Sequence, residues 1–298
     1  MRSRQGLTLL EMLIAVGILG IIFLITSQGI VTSLNVQASQ ESVTSSQAKL
    51  RRVTEVLTQE LRSAVLGAIS NQPYASSPSA ISFVLLNGGA GYQVLPHDSG
   101  LNSSFKRAAN VQVIAAVPNA GALGLQGNQA LMVNDAGQAV IFDVTNVTRR
   151  GGAGSLEYNV VHPGCANTID YTENTLLFSV QSVGFSYVDT SQTLFQRSGS
   201  AAAVPLAFDL STFRIDYIYQ QDDGTIYTRT TPLLDANGVP SRTGVIGGFP
   251  VTLVRLQVVL GSNALAADRS TSERIYSSQI ELASTAGSRN IEAVSPCN

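Results

Sequence analysis

The chain has no tryptophan, two histidines and two cysteines in 298 residues, and only 13% of it is charged. Lysine is nearly missing too, represented by Lys49 and Lys106 alone. These scarcities exclude whole classes of protein. Cysteine-dense scaffolds and histidine-rich metal centres need more ligands than His97, His162, Cys165 and Cys297 supply. The 18 basic and 20 acidic residues nearly cancel, and no run of five or six like charges occurs, so no extended field draws in nucleic acid or anionic lipid. Direct DNA binding is not expected. There is no Gly-x-Ser-x-Gly elbow and no Gly-Lys-Ser/Thr phosphate loop, which removes the easiest hydrolase and nucleotide readings. Proline is absent before Pro73, so nothing in that stretch forbids a long helix.

What is present is apolar: 44% of the residues are hydrophobic, enough for at least one buried core. The first 25 residues combine a short basic start, Arg2 and Arg4, with an apolar run in which Met12 to Ile25 has no polar side chain. An ordinary secretory signal would place small residues soon after that run. The nearest such group, Val36-Gln37-Ala38, lies far downstream. A plain signal anchor fits the basic start but leaves Glu11 unexplained, the single charge between Leu7 and Gln40. A carboxylate in such a run costs roughly 2.5 to 3.5 kcal/mol at the bilayer centre and less near the interface, so it generally has a partner. Cleavage between Gly6 and Leu7 would create one, because the new α-amine of Leu7 can meet Glu11 of a neighbouring copy.

Gly6-Leu7-Thr8-Leu9-Leu10-Glu11-Met12 closely resembles the processing motif of the type IV prepilin family. The resemblance implies cleavage between Gly6 and Leu7 by a prepilin peptidase, N-methylation of Leu7, retention of the apolar helix and an assembly role for Glu11. Two departures stand out. The family prefers phenylalanine where Leu7 stands, and many major pilins have a helix-breaking proline at the position of Gln28. Arg51-Arg52 through Glu60-Leu61-Arg62-Ser63-Ala64, and later the runs Phe213–Tyr219, Val251–Leu260 and Tyr276–Leu282, are similar to minor pilins of the PilW type, the first also to J-type pseudopilins of type II secretion.

The predicted fold class is α+β: a long N-terminal transmembrane and assembly helix packed on a β-rich, pilin-like headpiece. The predicted divisions are a leader at 1–6, a helix at 7–70 and a headpiece at 74–298. Within the helix, 7–25 is the membrane or filament-core part and 43–66 the amphipathic part. Leu50, Val53, Leu57, Leu61 and Ala64 follow helical spacing and form one stripe for a sheet, while Arg51, Arg52, Glu55, Gln59, Glu60 and Arg62 read as a solvated face. Beyond Pro73 the runs Ala80–Leu86, Val111–Val117, Ala139–Val144, Leu156–Val161 and Leu176–Val180 read as strands. Asp223-Gly224 and Asn134-Asp135-Ala136-Gly137 read as turns, and 87–104, 118–128, 149–154 and 197–204 as loops.

Candidate chemistry is thin. Neither histidine shows metal-ligand spacing with a cysteine, and both read as loop or strand-end residues. Gly121 to Gly127 mimics a dinucleotide glycine pattern without a helix to follow. Asp222-Asp223 and Asp235-Asn237 read as plain turns rather than calcium sites, and Arg149-Arg150 as loop charges that a phosphate could also use. Export to an oxidising compartment favours a Cys165–Cys297 disulfide over two buried thiols.

The expected function is that of a minor pilin, a structural and assembly subunit without cofactor, metal or catalytic residues, serving filament initiation and through it motility, adhesion or DNA uptake (natural transformation). Its expected partners are prepilin peptidase, other minor and major pilins, the inner-membrane assembly platform, and membrane lipid along residues 7–25. Its expected place is the inner membrane, single-pass with the N-terminus cytoplasmic and the headpiece periplasmic, then the pilus or cell surface. A J-type pseudopilin is the nearest alternative. A membrane-tethered adhesin or exported enzyme is the alternative of another class, and a polar pocket in the headpiece would favour it.

Overall fold

The computed structural model describes residues 9–88, 91–95, 110–152, 154–165, 174–266, 270–282, 291 and 293–297, and gives the backbone alone at 65–67. Helix α1, Leu9–Arg62, runs for 54 residues without a break. At 1.5 Å per residue it is about 81 Å long. It stops earlier than its periodicity suggests. The Ser63 amide bonds to the carbonyls of Gln59 and Glu60, and the chain passes at once into the strand Ala64–Ser70. This corrects the predicted helical limits at 66 and 70: the segment pairs antiparallel with Ala80–Leu86, with Ile69 opposite Phe83, and that ladder outweighs a modest helical propensity. The headpiece therefore begins at Ala64, not after Pro73. Ala64 is buried in the same core as the helical stripe, but from a strand.

Among the described residues, two sheets make the headpiece. The smaller has five antiparallel strands: Leu210–Gln221, Ile226–Arg229, Thr243–Ile246, Phe249–Leu265 and Thr271–Glu281. Odd positions of the first, Phe213, Ile215, Tyr217 and Tyr219, point inward and are at most 5% exposed. Leu50, Val53, Leu57 and Leu61 of α1 lie in one core with them and with Leu256, Val258 and Leu260. The second half of the helix is thus the lid of this sheet, as its stripe predicts. The Asp223-Gly224 turn joins two of these strands, with Gly224 at φ +90° and Tyr219 opposite Tyr227.

The larger sheet is organised by the 13-residue strand Leu176–Val188. Along one edge it pairs with Ala80–Leu86 and Tyr92–Leu95, and along the other with Gln129–Val133 and Thr193–Ser198. The remaining predicted strands sit here with ends displaced by a few residues: Asn110–Ile114, Gln138–Asp143 and Glu157–Val161. Their apolar residues, among them Val113, Phe142, Tyr158 and Val160, form a second core with Met132 of Gln129–Val133. The last described strand, Ala293–Pro296, runs parallel to Gln138–Asp143.

Candidate functional site

The feature with no structural task inside the fold is the first half of α1. Leu9 to Leu34 are all exposed, including Leu9 at 83%, Leu19 at 70% and Phe23 at 74%. No residue of its most apolar 18-residue stretch is buried, and this helix is long and apolar enough to cross a membrane. Leu9 to Ile25 covers about 26 Å, close to the roughly 30 Å of a bilayer's hydrocarbon core. The polar groups that follow are arranged for an apolar setting. Thr26 Oγ1 donates to the carbonyls of Ile22 and Phe23 at 2.9 and 3.0 Å, and Thr32 Oγ1 to that of Gln28 at 2.9 Å, so these hydroxyls need no water. Glu11 stands in the first turn, where a negative charge opposes the positive end of the helix dipole. Gly6 and Leu7, the predicted cleavage and methylation positions, lie outside the described residues, as does the rest of the leader.

Among the described residues, hydrogen bonding to the headpiece begins at Ser39, whose Oγ donates to the Leu265 carbonyl at 3.0 Å, and Ser42 Oγ accepts from the Leu265 amide at 2.9 Å. Lys49 Nζ donates to the Phe208 carbonyl and lies 3.8 Å from Asp209. Farther along, Glu60 departs from its predicted solvated face. It is half-buried and accepts from Gln196 Nε2 at 2.9 and 3.1 Å. Desolvation raises its pKa, and the Gln196 hydrogen bond only partly opposes that.

Cys165 and Cys297 form the predicted disulfide, with Cα atoms 4.8 Å apart. The Cys297 amide also bonds to the Ile141 carbonyl, so Cys297 is tied twice. His162 was not expected to meet a cysteine, yet its Nδ1 lies 3.8 Å from Cys165 Sγ and donates to the Pro163 carbonyl at 2.6 Å. The signal missed was the three-residue step from His162 to Cys165. One ligand atom from each of His162, Cys165 and Cys297 falls within 4.8 Å of the others, but both sulfurs are spent in the disulfide, so the cluster is not a three-ligand cation site. Burial pushes the His162 pKa down, against the weaker pull of the Pro163 carbonyl. His97 lies outside the described residues.

The other candidates resolve into local structure. Arg149 and Arg150 are not loop charges but end the strand Asn146–Arg150. Arg149 stacks over the Tyr158 ring at 5.5 Å and bonds to Tyr158 Oη and the Pro118 carbonyl, while Arg150 bonds to Gln112 Oε1 and faces Glu157 at 3.9 Å. Asp223 accepts from the Thr225 amide, and Asp235 Oδ1 from the amides of Asn237 and Val239, which is ordinary turn chemistry. Gly121 to Gly127 holds a short 3-10 turn, Ala120–Leu123, capped by Asn119.

No curated protein and no solved structure matches the chain. Residues 1–27 match the family described as the prokaryotic N-terminal methylation motif. The chain thus opens with a type IV prepilin-like signal, carried by an exposed apolar helix that continues into a β-rich headpiece, the two together making an α+β, pilin-like fold.

Proposed function

We propose that this chain is a minor pilin of a type IV pilus, a non-catalytic subunit whose processed helix enters the filament or its initiation complex while the headpiece contacts sister subunits. The prepilin-like signal at 1–27 carries the reading, because it stands at the start of an apolar stem that the headpiece leaves uncovered. In this reading the peptidase cuts between Gly6 and Leu7, Leu7 is methylated, and Glu11 meets the Leu7 amine of a neighbouring pilin. The stem spans the inner membrane with the headpiece on the periplasmic side until assembly draws it into a filament.

Four measurements test this. Gly6→Ala leaves a slower-migrating precursor, and mass analysis of the wild-type protein finds Leu7 as the first residue; any other N-terminus overturns the processing step. Glu11→Ala keeps membrane insertion and loses incorporation into filaments, and unchanged incorporation refutes the role of the carboxylate. A J-type pseudopilin would use the same stem. A deletion strain that loses twitching or transformation supports the pilus, whereas loss of exoprotein secretion supports type II secretion.

A further inference from the structure

The hub strand Leu176–Val188 shares one edge between two partners that never meet. Gln129–Val133 pairs with its first part, Gln129 opposite Val180, and Thr193–Ser198 with its second, Ser198 opposite Val183. Neither continues past Gln181 and Ser182, and at this fork a cleft of about 900 Å³ opens. That volume falls within the roughly 300–1,000 Å³ of small-molecule sites.

The gap is not waiting for another strand. Ser182 donates from both its amide and its Oγ to Gln129 Oε1, at 2.9 and 2.6 Å, and its carbonyl accepts from the Gly199 amide at 2.7 Å. Backbone pairing with a peptide would find these groups occupied. What faces the opening is side-chain hydrogen-bonding capacity. Gln129 has committed its oxygen and keeps its Nε2 donors. Among the described residues, the side chains of Gln72, Asn87, Gln181 and Asp143 make no hydrogen bond or ion pair to the protein, although all four line the cleft. Arg197 uses only Nε, on the Ala201 carbonyl at 3.0 Å.

Among the described residues the lining contains one carboxylate and one guanidinium, so these balance, and it contains no aromatic ring. An apolar ligand would strip water from these amides and leave them without partners, which is costly. An anion would gain from Arg197 and lose to Asp143. A ligand carrying many hydroxyls, each both donor and acceptor, satisfies amides, carboxylate and guanidinium together and tolerates bridging water. We infer that this cleft binds a neutral oligosaccharide. The inference does not rest on the assembly role, because every residue involved belongs to the headpiece. Combined with that role, it gives a filament subunit the polar pocket that otherwise favours an isolated adhesin.

The test uses the full chain in a detergent without a sugar headgroup. Saturation-transfer NMR is run with maltotetraose, cellotetraose, chitotetraose and lacto-N-tetraose as neutral probes and sialyllactose as the acidic control. At least one neutral probe is expected to bind, more tightly than the acidic one. Asp143→Ala and Gln181→Ala are each expected to weaken that binding about tenfold, the size of one lost hydrogen bond. Both side chains are exposed and uncommitted, so thermal melting should not change, and Tyr276→Ala, outside the cleft, should keep full affinity. Binding by none of the neutral probes, or full affinity in both cleft variants, overturns the inference. Precursor carrying Gly6→Ala keeps the cleft, so failure of processing and failure of sugar binding are read separately.

Discussion

Replacing Leu57 with alanine tests whether α1 is one helix doing two jobs. Leu57 is 0% exposed and lies between Val53 and Leu61 in the core shared with Phe213, Leu256 and Val258. Leucine-to-alanine changes in cores cost about 2 to 5 kcal/mol, and the cost rises where neighbours cannot close the hole. A rigid helix lying on a five-stranded sheet has little room to settle, which places the loss at about 3 to 5 kcal/mol. For a domain of this size each kcal/mol lowers Tm by roughly 2 to 4 °C, so the expected drop is about 6 to 20 °C. With no tryptophan in the chain, far-ultraviolet circular dichroism in detergent is the suitable readout. Leu19→Ala, on the same helix at 70% exposure, is the control and should leave the melting curve in place while impairing filament incorporation. A Leu57→Ala protein melting within about 2 °C of wild type, or an equal drop in Leu19→Ala, would refute the division of the helix into stem and lid.

Cys297→Ser opens a loop closed across 132 residues, worth about 5 kcal/mol in the chain-entropy account. The melting temperature should fall, and dithiothreitol should then lower the wild type but not the variant. His162 stays neutral by burial with its pKa below the ordinary 6.5, so as pH falls through that value the unfolded chain takes up a proton that the folded chain refuses, and stability declines. His162→Gln should flatten that part of the pH profile of melting; an unchanged slope would place its source elsewhere. Tyr219 Oη accepts from the Leu233 amide at 2.7 Å, so Tyr219→Phe should cost about 1 to 3 kcal/mol in denaturant titration. In the intact protein, burial pushes the Tyr219 pKa up to about 12, and its ultraviolet ionisation signal should be missing at pH 10.5.

The parts legible in the sequence were those governed by local rules. The apolar run with Glu11, the alternation from Phe213 to Tyr219 and the Asp223-Gly224 turn each state their structure within a few residues. The helix end falls short of the expectation because Val65 to Ala68 suits either state, and the pairing of the flanking Ala64 and Ile69 with Leu85 and Phe83 decides between them. Glu60 looks like a surface charge until a strand more than a hundred residues away brings Gln196 to it. The cleft was illegible for the same reason. Gln72, Gln129, Asp143, Gln181 and Arg197 lie far apart in the chain and share no motif, and their convergence depends on where the two strands flanking Leu176–Val188 stop.

The direct passage of the stem into the lid of the small sheet has a geometrical consequence. Between Ile25 and the hydrogen bond from Ser39 to the headpiece there is neither a linker nor a proline, only continuous helix. Head and stem therefore turn as a single key on its shaft. Adding one residue in that interval would swing the headpiece by about 100° and raise it about 1.5 Å. Which side of the head looks outward from an assembly is consequently written in the number of residues between Ile25 and Ser39, and a change in that count would re-aim the molecule without altering one contact inside it.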